Sequence, residues 1–262
     1  MARILITGSA QGLGRGAATA LIDDGHQVVV HARDPRREAA LAELVRRGAT
    51  VVVGDLASEQ ETRNVAAQIN DLGRMDAIIH NAGVYGDSQP HPTPEGHPRT
   101  LAVNTLAPYL LTGLIQRPDR LIYLTSDMHR SGDDSLQDLD WSTRPWNGTQ
   151  AYCDSKLFVT TLALAIARRW PGMISNAVDP GWVPTRMGGS GAPDNLEQGH
   201  MTQVWLAVTD ASEADLNGKV WHHHQPVPAA SAAHNPDFQN RLINRLAELT
   251  GLQFSDAPTK TF

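Results

Sequence analysis

Residues 2–22 impose the strongest constraint on how this chain folds. The apolar run Ala2-Arg3-Ile4-Leu5-Ile6-Thr7 reads as a buried strand. It passes directly into Gly8-Ser9-Ala10-Gln11-Gly12-Leu13-Gly14 and then into the helix-favouring Ala17-Ala18-Thr19-Ala20-Leu21-Ile22. Glycine permits positive φ and close backbone approach, and a helix N-terminus offers unpaired N–H groups and a positive dipole end. The turn is therefore a candidate pyrophosphate cradle, with Gly8, Ser9, Gln11, Gly12, Leu13 and Gly14 as its contacts. Its spacing, Gly-x-x-x-Gly-x-Gly, departs from the Gly-x-Gly-x-x-Gly dinucleotide fingerprint, and a tight turn that needs only small residues would look the same.

Further apolar runs at 27–31, 50–54, 75–80, 120–125, 173–178 and 219–222 alternate with helical patterns. Such alternation implies βαβ units, and hence an α/β, doubly wound Rossmann-type fold with a central parallel sheet and helices on both faces. A ligand then belongs at the carboxyl ends of the strands. The 262 residues contain no Pro/Gly/Ser-rich divide, so a single domain over 1–262 is expected. A net charge of −6 with scattered basic residues argues against a nucleic-acid surface. The longest apolar stretches fall short of the ~20 residues a membrane helix needs. Cys153 is the only cysteine and no signal peptide is apparent, which fits a reducing cytoplasm.

Two segments break the alternation. Residues 86–98 hold four prolines among polar residues and read as an extended loop near the site mouth; residues 186–200 contain Gly188-Gly189-Ser190-Gly191 and read as a lid or a plain surface loop.

Chemistry concentrates in Ala151-Tyr152-Cys153-Asp154-Ser155-Lys156. Four residues apart on a helix, Tyr152 and Lys156 share a face at about 5–6 Å between Cβ atoms. An ammonium there would favour phenolate and make the phenol a usable acid or base, although the same spacing arises by chance on helices where Tyr packs and Lys is solvated. Ser126, closing the 120–125 strand, is placed to project a hydroxyl toward that helix, or simply to cap the strand end; adjacent Thr125 competes for the role. Asn104, inside an apolar helix, is costly unless its amide is satisfied.

In this order, Thr7-Gly8 through Gly14, Asn81-Ala82-Gly83, Asn104, Ser126, Tyr152, Lys156 and Pro180-Gly181 resemble the short-chain dehydrogenase/reductase family over nearly the whole chain. The segment from Ser126 to Leu157 looks most like the branch of retinol-dehydrogenase-like and protochlorophyllide-reductase-like members. The resemblance implies a nicotinamide-dependent oxidoreductase acting on a carbonyl or alcohol. In it Ser126 polarises the carbonyl, Tyr152 transfers the proton, Lys156 contacts the ribose and lowers the Tyr pKa, and Asn104 supports a water-linked relay. It further implies cofactor contacts from Asp55 and Leu56 to adenine, from Asn81, Ala82 and Gly83, from Tyr152 and Lys156, and from Pro180, Gly181, Val183 and Thr185.

Ala32 stands where many NAD-using relatives carry an acid, and Arg33 follows it. A guanidinium can bind a 2′-phosphate bidentately, so NADP(H) is expected over NAD(H); Arg15 is a second candidate, and Arg33 as a solvated helix-entry residue is the plain alternative. Asp179 departs from the His that often precedes Pro-Gly in the branch. The His222-His223-His224 run is read without a metal, because a strand alternates faces and no acids or cysteines converge on it.

Val84, Tyr85, Met128, Trp141, Trp146, Trp182 and Met187 are the candidates for an apolar mouth, with packing the more common role for Trp141 and Trp146. They point to an apolar or aromatic substrate. Apolar residues spread around more than one face of the helix after Lys156, so a homodimer or homotetramer is expected, the alternative being that residues 186–200 and 238–249 cover that surface internally. The rival to catalysis is a nucleotide-sensing regulatory protein that keeps the cradle without turnover.

Overall fold

The computed structural model describes residues 1–255, so residues 256–262 of the expected domain lie outside it. The strands are β1 Arg3–Ile6, β2 Gln27–Ala32, β3 Thr50–Val53, β4 Ala77–His80, β5 Arg120–Leu124, β6 Ile174–Asp179, β7 Val220–His222 and β8 Gln225–Val227. They form one sheet in the order β3-β2-β1-β4-β5-β6-β7-β8. Alternate residues of the buried strands enter opposite cores. Leu5, Val29, Ile78, Leu121 and Tyr123 join one apolar cluster. Ile4, Ile6, Val28, Val30, Ile79, Ile122 and Leu124 join the other. Fully burying one such aliphatic side chain stabilises by ~1.5–3 kcal/mol, which is why continuous apolar runs form strands covered on both faces.

The expected sheet was parallel, and β1 to β7 are. The structure corrects the edge: β8 runs antiparallel to β7. His223 and His224, at φ 45° and 63°, form the two-residue turn between them. Positive φ at both central residues is the type I′ hairpin geometry, whose twist matches the flanking strands. The last two histidines of the run thus form a turn, and the first ends β7.

The longer helices are α1 Gly12–Asp23, α2 Glu59–Asp71, α3 Ala107–Leu114, α4 Gly148–Arg169, α5 Leu196–Val208 and α6 Pro236–Thr250. α1 and α5 pack together on one face of the sheet; α2, α3, α4 and α6 bury Val65, Leu111, Leu162 and Leu242 on the other. Residues 151–166 of α4 are all buried. Strand β6, α6, the turn at Asp127–Ser131 and the short helix Ser231–His234 pack against α4. The apolar surplus that was expected to need a second copy is therefore covered within one chain, and the premise for a homo-oligomer on that helix falls. Residues from the 186–200 segment border the cleft described below instead.

Candidate active site

Strand order reverses at β1 and β4, and the crevice outside their carboxyl ends is where this architecture binds ligands. The glycine turn follows β1 and Asn81-Ala82-Gly83 follows β4. Asn81 ties the two: its Nδ2 donates to Thr7 O at 2.8 Å and Gly8 O at 3.3 Å, and its backbone N–H donates to Thr7 Oγ1 at 3.0 Å. Gly8 has φ +68°, and a Cβ there would lie 2.9 Å from Ala82 Cα. A Cβ on Gly14 would lie 2.6 Å from Gly8 O and collide with Asn81 Nδ2.

The cradle fits a phosphate by a simple contrast. Helices α2, α4, α5 and α6 have their first-turn amides capped by the side chains of Ser58, Asn147, Asn195 and Asn235. Gln11 gives α1 no side-chain cap, and no acid lies in that helix's first turn. Unclaimed N–H groups at a helix start are what an anion needs.

His31 was not singled out from the sequence, yet it braces the turn. Its Nε2 lies 2.8 Å from Gly54 O, and its Nδ1 accepts from Gly8 N at 3.1 Å. Burial lowers its pKa, which keeps the ring neutral and able to accept. The Ser9 hydroxyl serves the fold, donating to Ile6 O at 2.5 Å and accepting from His31 N at 3.2 Å. Asp55 accepts from Ala57 N at 2.9 Å, and Leu56 turns its side chain into the core.

At the end of β2, Ala32 is buried and Arg33 has a side chain 52% exposed, paired with Asp34 at 3.4 Å. Arg36 meets the other oxygen of Asp34 at 3.4 Å. Arg15 is engaged elsewhere, by Ala40 O at 2.7 Å and the Glu43 carboxylate.

The second half of the site hangs on β5 and α4. Thr125 is buried, with Oγ1 2.6 Å from Thr160 Oγ1, so its hydroxyl is engaged by α4 although the residue borders the cleft described below. Ser126 caps the Asp127–Ser131 turn, its Oγ accepting from Met128 N at 3.3 Å, and its hydroxyl is near enough to Tyr152 to favour the phenolate. Tyr152 is packed edge-on against Tyr85 with ring centroids 4.6 Å apart. Lys156 is buried, donates from Nζ to Leu124 O at 2.8 Å, and sits 5.4 Å from the Tyr152 ring centroid.

Burial raises the Tyr152 pKa above its usual range, while the Ser126 hydrogen bond opposes and Asp179, Tyr85 and Cys153 add to the rise. Burial also lowers Lys156 to about 8, against the pull of Asp179. The direction at Tyr152 is opposite to the one expected from the Lys. The ammonium is directed at a backbone carbonyl, and desolvation of the phenolate dominates.

Asn104 lies in a π-helical turn, Ala102–Leu106. Its Oδ1 accepts from Val84 N at 2.8 Å, and its Nδ2 donates to Val84 O and Ser155 Oγ, each at 3.0 Å. The amide is satisfied by the protein, fastening the turn after β4 to α4. A Cβ on neighbouring Gly83 would lie 3.7 Å from Lys156 Nζ.

Leu13, Ser126, Tyr152, Pro180, Gly181, Val183 and Thr185 line one cleft of about 740 Å³. Thr185 also touches the glycine turn, its Cγ2 3.2 Å from where a Gly12 Cβ would lie. Tyr85, Met128, Trp182 and Met187 border the cleft as expected, whereas Val84 does not, and neither do Trp141 and Trp146. The two tryptophans pack on each other at 5.2 Å, with Arg144 stacked on Trp141 and Trp146 Nε1 donating to Asp87 O at 3.0 Å. Asp127, Asp179, Asp194 and His222 add a polar side that sequence reasoning did not assemble.

Leu13 of the glycine turn, Ser126 and Tyr152 thus share one cleft, with Lys156 buried beside Tyr152. A family model described as "Enoyl-(Acyl carrier protein) reductase" matches residues 8–214. The chain belongs to the short-chain dehydrogenase/reductase family. It is an oxidoreductase of that family, of the nicotinamide-dependent kind. It is 40% identical to the short-chain dehydrogenase chyC of Penicillium rubens, over 97% of this chain and 99% of that one. It is 31% identical to human retinol dehydrogenase 13, over 95% and 85%. Among solved structures, an uncharacterized protein of Mycobacterium paratuberculosis superposes with a TM-score of 0.85 at 24% identity, over 97% and 95%. The Pseudomonas aeruginosa RhlG/NADP complex superposes with 0.66 at 21%, over 84% and 94%.

Proposed function

We propose that this oxidoreductase interconverts an apolar or aromatic ketone or aldehyde and its alcohol, using NADP(H), with Tyr152 as acid and base. The observation that carries this reading is that Leu13 of the glycine turn and the Ser126–Tyr152 pair line the same cleft. The dinucleotide, when bound, supplies or takes the hydride at the carbonyl carbon.

The remaining steps belong to the chain. The backbone of residues 8–14 receives the pyrophosphate, and Arg33 receives the 2′-phosphate, where an acid would repel it. Asp55, Leu56, Asn81, Ala82, Gly83, Pro180, Gly181, Val183 and Thr185 border the rest of the cofactor. Lys156 has three N–H donors, and with one on Leu124 O it retains two for ribose hydroxyls. Ser126 holds the substrate oxygen. Tyr152, kept protonated by burial, gives its proton to that oxygen as negative charge develops on it, and the phenolate left behind lies beside the Lys156 ammonium. Asn104 acts as a fastener between Val84 and Ser155, holding the turn after β4 against α4.

The test is cofactor consumption by the purified protein over aromatic aldehydes, ketones and quinones, with NADPH and NADH in parallel. Turnover with NADPH in preference to NADH supports the proposal. Faster NADH oxidation overturns the cofactor assignment, and no oxidation of either with any carbonyl overturns the catalytic one.

A further inference from the structure

His129 sits outside the set that touches substrate or cofactor, and its two ring nitrogens have different obligatory partners. Nδ1 is 2.7 Å from Ser126 O, a group that can only accept. Nε2 is 3.0 Å from Ala230 N, a group that can only donate. The ring must therefore be neutral, with its proton on Nδ1. The side chain is 1% exposed, so neither bond is shared with bulk water.

One end of this contact borders the cleft, and the other lies close along the chain to a residue that does. Ser126 is the residue whose hydroxyl lies near Tyr152. Val227, three residues before Ala230, ends β8 and lines the cleft. The same two segments are joined again by Arg130, which donates to Asp127 Oδ1 at 2.5 Å and to Pro228 O at 2.6 Å. The Ser126 carbonyl also accepts the backbone N–H of His129 at 2.9 Å, so the imidazole completes a double grip on that peptide group.

We propose that His129 is a positioning residue: its neutral ring fixes the Ser126 peptide, and so the direction of the Ser126 hydroxyl, while holding the segment after β8 as a wall of the substrate cleft. The inference rests on the function proposed above for Ser126 and Tyr152. Protonation would place an N–H against the Ala230 N–H and break the second contact. Burial, first, and Arg130 lower the pKa of the ring; the Ser126 carbonyl, Asp127 and Asp179 oppose them. The contact is consequently intact at neutral pH and opens on acidification below the ordinary histidine range.

The two contacts can be separated by amide substitutions. His129→Asn keeps a donor near the Nδ1 position and loses the Nε2 acceptor; His129→Gln keeps an acceptor near Nε2 and loses the donor to Ser126. For His129→Gln we expect kcat to fall about tenfold, the scale of one strong hydrogen bond lost from the transition state, with KM little changed. His129→Asn should recover most of that kcat and raise KM instead. Equal losses in both variants, in proportion to their loss of thermal stability, overturn the positioning role. Amide hydrogen exchange over residues 227–230 supplies a readout without turnover. Exchange should be slow in the parent and in His129→Gln, and fast in His129→Asn and in the parent at acid pH. A parent that turns over no carbonyl refutes the proposed function alone, whereas slow exchange in His129→Asn refutes the contact to Ala230 itself.

Discussion

In the proposed mechanism Tyr152 works through one oxygen, so Tyr152→Phe is expected to abolish carbonyl turnover while NADPH affinity, followed by fluorescence titration, changes little; retained turnover would remove Tyr152 from the acid/base role. Arg33→Ala should weaken NADPH by roughly ten- to a hundredfold and NADH hardly at all, because a hydrogen bond to a charged group contributes about 1.5–3 kcal/mol. Lys156 gives a stability prediction of definite sign. Its pKa is about 8 in the fold, against ~10.4 in the unfolded chain. Between those values the unfolded chain binds more protons, so this residue makes the cofactor-free protein more stable as pH rises through that window, and its buried charge is a full cost below it. Lys156→Met should therefore raise the denaturation midpoint of the cofactor-free protein at neutral pH, with the gain fading as pH climbs past 8 toward ~10.4. A gain that is flat across that range would show that packing, not charge, is responsible. The residues proposed for catalysis stood out in the sequence through their order along the chain, and the structure brings Ser126, Tyr152 and Lys156 near one another. His31 and His129 were not, since their partners are backbone groups 23 and 101 residues away, and a histidine in a strand or turn carries no periodic mark of such contacts.

At the scale of elements, the β1–turn–α1 unit was readable because an unbroken apolar run followed by closely spaced glycines has few other folded outcomes. The structure supplies the reason for the last glycine: its missing Cβ leaves room for Asn81 and the Gly8 carbonyl. Gly14→Ala is expected to weaken both cofactors equally, unlike Arg33→Ala, and calorimetry with NADPH and NADH distinguishes the two patterns. Helix α4 shows where sequence reading stopped. Its apolar residues face several ways, and one chain's pattern does not say whether a second chain or a later helix meets them. In the fold, α6 and the Ser231–His234 helix do so, from more than sixty residues downstream. Sedimentation at micromolar concentration should accordingly give a monomer; a stable dimer would require an interface other than the buried stripe of α4. Strand β8 was missed for a local reason, being only three residues long and including a proline, and its hairpin turn uses two histidines in place of the usual Asn-Gly.

For the molecule as a whole, substrate choice follows from the cleft's two characters. Tyr85, Met128, Trp182 and Met187 offer apolar surface, while Asp127, Asp179 and Asp194 face the same space with Arg130 already bound to Asp127. An anionic substrate would meet three carboxylates against Arg130, the one Arg or Lys among the lining residues and already paired, and an unpaired buried charge costs several kcal/mol. The ratio of kcat/KM for an aromatic ketone to that for a dicarboxylate or phosphorylated ketone is expected to exceed roughly a hundredfold on that account. A ratio near one would mean that the substrate reacts outside this cleft. The antiparallel edge has a different consequence. Pro226 stands opposite Trp221, next to the turn-closing pair of His222 and Gln225, a register in which its nitrogen faces away from β7. Where another chain would look for an N–H to extend the ladder it finds a pyrrolidine ring, so this side of the sheet resists templated growth into aggregates even when the protein is crowded.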